Sequence, residues 1–122
     1  MEATAAVERL SALAQETRLE LFRRLVRRGP EGVAAGEIAV ELGIPKPTLS
    51  FHLAALERAG LVRAERRGRS ILYAADYRAM GELVGFLYDN CCAEGGAACA
   101  APGDPPLTAT RKPSRDRARS SQ

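Results

Sequence analysis

The sequence predicts a mainly α chain with one small β-hairpin, and three observations carry that prediction. Apolar residues recur at helical spacing in five separate stretches between Val7 and Leu87. A single stretch, residues 61–75, alternates and doubles back about a glycine. With no Trp, three Phe and three Tyr, the core must be largely aliphatic, as suits helices. At 122 residues the chain has material for one core and not for two.

The first helix reads from "AVERLSALAQ", with Val7, Leu10, Leu13 and Ala14 as its inner face. "ETRLELFRRLVRRGP" gives the second. Thr17 is its candidate N-cap, and Leu19, Phe22, Leu25 and Val26 form its apolar stripe. Arg27 and Arg28 suit the negative end of the helix dipole, and Gly29-Pro30 stops the helix. "GEIAVELG" gives a short third helix with Ile38, Ala39 and Leu42 inward and Gly43 as a left-handed exit. In "IPKPTLSFHLAALERAG", Pro45 and Pro47 fit a first turn, where amide hydrogens have no intrahelical partner. Leu49, Leu53 and Leu56 then form the buried stripe up to Gly60. Two short helices joined by a Gly-containing turn make a helix-turn-helix.

"LVRAERRGRSILYAA" reads as a hairpin whose tip is Arg66-Arg67-Gly68-Arg69. A hairpin directly after the second helix of such a motif is a wing, so the expected fold is a winged helix-turn-helix. The last helix spans roughly Asp76 to Asp89, with Met80, Leu83, Val84 and Leu87 on one face and Phe86 and Tyr88 beside it. Gly81 and Gly85 each cost that helix about 1 kcal/mol against Ala, so packing must hold it, and their spacing admits close approach of another backbone. Residues 1–101 are expected to be one domain. Residues 102–122, rich in Pro, Ser and Arg, are expected to be a disordered basic tail.

The net charge of +3 matters less than its distribution. Residues 1–102 carry 13 basic and 13 acidic side chains, and the excess lies in the tail. Within the neutral part, Lys46, Arg58, Arg63, Arg66, Arg67 and Arg69 face only Glu57 and Glu65 between residues 45 and 70, a local +4. A basic patch on a neutral body fits a nucleic-acid-facing surface. No apolar run approaches the ~18 residues a membrane span needs, and Met1–Val7 has no leader pattern, so a cytoplasmic protein without a membrane partner is expected. In a reducing cytosol an odd set of three cysteines is a poor disulfide framework and a better candidate for metal or redox chemistry.

"LSALAQETRLELFRRL", "GEIAVELGIPKPTLSFHLAALERAGLV" and "RRGRSILYAA" together resemble the ArsR/SmtB family of winged-helix repressors that sense metals and metalloids, over most of residues 7–90. The resemblance implies a homodimer, assembled through the first and last helices, that binds operator DNA near its own promoter and is released by an inducer. It also implies that Lys46, Thr48, Ser50, Phe51 and His52 face DNA, with Arg66, Arg67 and Arg69 in the wing. The chemistry agrees, because the first residues of a recognition helix reach base edges and wing arginines meet phosphate or a minor groove. Phe51 stands where the family often has Arg, and an aromatic there suits a thymine methyl. His52, the chain's one histidine, has two readings: a DNA contact, or a hydrogen bond within the fold.

The inducer site must come from this chain. The family's Cys-x-Cys arsenic site at the start of the helix-turn-helix corresponds to Ala34, Ala35 and Gly36, and its zinc site on the last helix would have Asp76, Glu82 and Asp89 but no His. That leaves "DNCCAEGGAACA", which resembles the subtype with a Cys-Cys pair and a third Cys after the last helix. Three thiolates at Cys91, Cys92 and Cys99, with no imidazole nearby, suit a thiophilic ion such as trivalent arsenic or antimony, whereas structural zinc normally takes four protein ligands. Adjacent thiolates share one ion only if the helix ends or distorts near Asn90, since successive helical residues diverge by about 100 degrees. The alternative reading is a thiol redox switch that uses the same cysteines. Enzymatic function is not expected, because no His neighbours the cysteines and no phosphate-binding Gly loop occurs.

Overall fold

The structure, a computed structural model, describes residues 1–95. The elements run α1 (Ala3–Leu13), α2 (Glu16–Arg28), β1 (Val33–Ala34), α3 (Ala35–Leu42), α4 (Lys46–Arg58), β2 (Val62–Arg67), β3 (Ser70–Ala75) and α5 (Tyr77–Tyr88). All five helices and the hairpin lie where periodicity and turn residues put them. The chain divides into two units, Met1–Leu87 and a second that begins at Tyr88. The expected boundary between a domain and a basic tail at residues 101–102 lies outside the described residues.

In the first unit, Leu21, Leu25, Ile38, Leu49, Leu53, Leu56 and Leu61 are almost wholly buried and join Phe22, Val33, Val62 and Ala75 in one aliphatic cluster. Burying each leucine contributes about 1.5–3 kcal/mol, and Phe22 is the one aromatic among these buried residues. Helix α2 starts two residues earlier than the Thr17 cap implies. Gln15 precedes the helix, and its side-chain oxygen accepts the Arg18 amide at 2.8 Å. The next turn behaves as expected: Gly43 takes φ +68 and closes α3, and Pro45 opens α4.

Three strands form the antiparallel sheet in the order β1-β3-β2, one more than the hairpin alone provides. Two residues are too short for periodicity to register, and β1 exists because Val33 pairs with Tyr73 and Ala34 with Leu72. Gly32 permits that approach. It sits at φ +86, and a Cβ there would stand 3.1 Å from the Tyr73 carbonyl oxygen.

The apolar stripes of the outer helices are only partly buried. On α1 the buried residues are Ala6 and Ala12, while Val7 is 59% exposed and Leu10 is also open. On α2 Leu19 is exposed and Leu21 takes its place in the core. On α5 Ala79 and Leu83 are buried, whereas Val84 and Leu87 are exposed, Leu87 by 60%. Gly81 and Gly85 lie on that same open side, and a Cβ at either would meet nothing within 4 Å. Arg9 ties α1 to α5, donating to the Ala79 carbonyl at 2.9 Å and to Glu82 at 3.3 Å. Asp76 caps α5 by accepting the Ala79 amide at 3.0 Å.

Candidate functional site

Helix α4 is a two-faced rod. Leu49, Leu53 and Leu56 bury one side, so Lys46, Thr48, Ser50 and Phe51 are exposed on the other. Phe51 is 63% exposed, a large apolar ring held in water. Pro45 and Pro47 stand at the start of α4, where amide hydrogens have no intrahelical partner, and Lys46 is in that first turn.

His52 does not join that face. It is 8% exposed, and its Nδ1 lies 3.3 Å from Nη1 of Arg18 on α2. The structure thus gives His52 the within-fold hydrogen bond that was the second of its two readings, because one residue after Phe51 the helix has turned by about 100 degrees toward the core. Burial first, then the charge of Arg18, push the His52 pKa below its ordinary 6.5. The ring of Phe51 meets His52 edge-on at 5.4 Å between centroids. Arg18 had no signal in its own sequence context. The one indirect signal was the lone histidine, which if buried needs a partner.

In the wing, Arg67 pairs with Ser70 and Arg66 with Ile71, so the loop is Gly68-Arg69, with Gly68 at φ +60. Side chains alternate along a strand, so Arg66 shares its face with Val62 and Ala64, while Arg67 shares the other with Arg63 and Glu65. The three wing arginines are all exposed, and Arg66 and Arg67 lie on opposite faces of β2. Arg67 Nε already contacts Glu65 at 3.3 Å, an exposed pair of little energetic weight that still offsets its charge toward phosphate. Replacing Arg66 with Ala is expected to lower the slope of log K against log salt by about 1. Phe51→Ala is expected to leave that slope unchanged and relax base preference at one position. Anisotropy titrations at four salt concentrations measure both.

In the second unit the chain leaves α5 through a series of tight turns. Asn90 has φ +61, the left-handed conformation that ends a helix, and the Cys91 amide donates to the Tyr88 carbonyl at 3.0 Å. Cys92 is also left-handed at φ +60, which is uncommon for a residue with a Cβ. These turns bring Sγ of Cys91 and Sγ of Cys92 to 3.6 Å, which a continuing helix would not do. Both side chains are exposed. Cys92 is disulfide-bonded in the structure, so a thiolate there requires reduction. Cys99 lies outside the described residues. Among the described residues no group of three His, Cys, Asp or Glu gathers to hold an ion.

A helix-turn-helix domain model matches residues 13–65, the segment from the end of α1 to the middle of β2. The chain is 32% identical over 93 residues to an uncharacterized HTH-type transcriptional regulator, YbzH, of Bacillus subtilis, covering 66% of this chain and 93% of that protein. It is 35% identical over 86 residues to a biofilm growth-associated repressor of Xylella fastidiosa, covering 70% and 72%. Among solved structures, an ArsR-like transcriptional regulator from Rhodococcus superposes with a TM-score of 0.65 at 27% identity, over 75% of this chain and 82% of the other. The homodimeric winged helix-turn-helix DNA-binding domain of Mb0332 from Mycobacterium bovis, a possible ArsR-family regulator, superposes with a TM-score of 0.57 at 30% identity, over 71% and 81%. With the exposed face of α4 and the arginine-tipped hairpin beside these matches, the chain belongs to the ArsR family of DNA-binding winged helix-turn-helix transcriptional regulators.

Proposed function

We propose that this regulator is a homodimeric repressor that leaves its operator when trivalent arsenic, or antimony, binds the thiolates of Cys91, Cys92 and Cys99. The observation that carries the reading is the 3.6 Å separation of the Cys91 and Cys92 sulfurs, produced by the helix stop at Asn90. Two sulfurs each ~2.3 Å from one ion stand roughly 3.3–3.8 Å apart, so this pair, once Cys92 is reduced, has the spacing of two arms of a three-sulfur site. Ligand binding there fixes the chain directly after α5. It shifts DNA affinity by as much as the ion prefers one dimer form over the other, typically ~1–3 kcal/mol. The ion binds thiolates, so induction weakens as pH falls.

A second reading, the thiol redox switch, is favoured by the disulfide at Cys92. One experiment separates the two. Fluorescence anisotropy follows reduced protein on a labelled duplex from upstream of its own gene, titrated with arsenite, with zinc and with peroxide. Release by arsenite with zinc inert supports the metalloid site. DNA that stays bound in arsenite sinks it, and release by peroxide alone assigns the cysteines to redox control.

Dimerisation follows from the open apolar sides of α1 and α5, where Val7, Leu10, Val84 and Leu87 face water on the single chain. Leu87→Glu is expected to raise the dimer dissociation constant by ~30-fold or more while leaving the fold intact, because the side chain takes no part in the core. Sedimentation equilibrium with circular dichroism checks both halves of that statement.

A further inference from the structure

We infer that Arg18 is a positioning residue for DNA binding: its guanidinium links the end of α1 to the recognition helix α4 through His52, and the link holds only while His52 is neutral. The geometry is a two-pronged one. Arg18 Nε donates to the Ala12 carbonyl at 2.7 Å, in the last turn of α1 where carbonyls lack helical partners, and Nη1 faces His52 Nδ1 at 3.3 Å. A guanidinium has no acceptor, so Nδ1 must present its lone pair and the ring proton must sit on Nε2. Protonated His52 would turn an N–H toward a cation, and the contact would open.

The position makes the link consequential. His52 is flanked by exposed Phe51 on the DNA face and buried Leu53 on the core face, so a change at its ring alters the pitch of the residues that read bases. The other prong ends on α1, whose outer side carries the open apolar residues Val7 and Leu10. One side chain thus connects the proposed dimer helix to the reading helix.

Among the described residues no other charge facing α4 replaces Arg18 in this role. From α1, Glu8 lines the shallow groove that Arg18 shares with Arg58 of α4 itself. From α3, Glu37 and Glu41 are held by Arg28 of α2. From β2, Arg63, Glu65, Arg66 and Arg67 are exposed. Among the described groups, Arg18 is the one whose charge acts on His52, together with burial.

The sign is fixed by that depression. A histidine whose folded pKa lies below its unfolded value contributes stability above that unfolded value, and the contribution is lost as pH falls through the folded one. DNA affinity is expected to fall with it, against the usual trend in which added positive charge strengthens phosphate binding.

The chain has one histidine, so its imidazole resonances are unambiguous. Nuclear magnetic resonance of the full chain should show the Nε2–H tautomer and a titration midpoint below 6.5, and Arg18→Gln, which keeps a donor and removes the charge, should raise that midpoint. Anisotropy on the upstream duplex should show wild-type affinity dropping ~5-fold or more between about pH 7.5 and pH 5.5, with circular dichroism showing the protein folded at both. His52→Asn retains an acceptor near the Nδ1 position without titrating and should give a flat profile. An Nδ1–H tautomer in the wild type, a midpoint that Arg18→Gln does not raise, or parallel pH profiles for wild type and His52→Asn would each overturn the proposal. The tautomer and midpoint need no DNA, so they stand even if the operator lies elsewhere.

Discussion

Leu56→Ala is expected to lower the unfolding free energy by ~2–5 kcal/mol, well beyond what any substitution on the surface of this domain should cost. Leu56 has no exposed surface and sits in the aliphatic cluster at the back of α4. Truncation removes apolar contacts and leaves a cavity that neighbouring leucines, held by their own helices, fill only partly. Against a total stability of about 5–15 kcal/mol for such a domain, that loss is severe. Urea unfolding followed by circular dichroism at fixed protein concentration measures it. Val40→Ala is the control: Val40 is 81% exposed on α3, and its truncation should change stability by less than about 0.5 kcal/mol. Equal effects at the two positions would mean that the burial pattern is wrong.

Cys91→Ser is expected to abolish arsenite-induced release while leaving DNA affinity in the absence of arsenite unchanged. A serine hydroxyl is a poor ligand for a thiophilic ion, and two remaining sulfurs hold it far less tightly than three. Cys91 is exposed and lies outside the core, so the substitution should not disturb folding. Cys92→Ser carries a second consequence because Cys92 is disulfide-bonded in the structure. The variant should lose any peroxide response along with the arsenite response. Cys99→Ser completes the series. A chain that still releases DNA in arsenite with Cys91 replaced would exclude that residue from the inducer site. The wild-type titration decides separately whether arsenite acts at all.

The helix-turn-helix was legible because its signals are local. Gly43 must supply a left-handed exit, Pro45 and Pro47 must stand at a helix start, and Leu49, Leu53 and Leu56 repeat with helical spacing. The hairpin was equally legible from Gly68 between an alternating arm and an apolar return. The Asn90 stop, on which any shared site for Cys91 and Cys92 depends, was also readable from one residue type. Less local features were not. Gln15 displaced Thr17 as the cap because helix ends are decided by which side chain reaches the free amides, and neighbouring polar residues compete. Strand β1 is two residues long and exists only through its partner in β3.

What the sequence determined by itself was therefore the order and type of elements, the exposed face of α4, and the placement of the cysteines just beyond a helix end. These follow from properties of residues a few positions apart: backbone freedom at Gly and Asn, the missing amide of Pro, and apolar period. Only the tertiary structure decided which apolar residues count as core. Leu19 and Leu21 are both leucines in one helix, and burial selects Leu21 because α2 turns that side toward the cluster. Tertiary packing also left Val7, Leu10, Val84 and Leu87 open on α1 and α5. The same packing separated His52 from its exposed neighbours by placing Arg18, 34 positions away in the chain, against its ring. Spacing along a chain specifies a helix face, but which neighbour that face meets depends on contacts between residues distant in sequence.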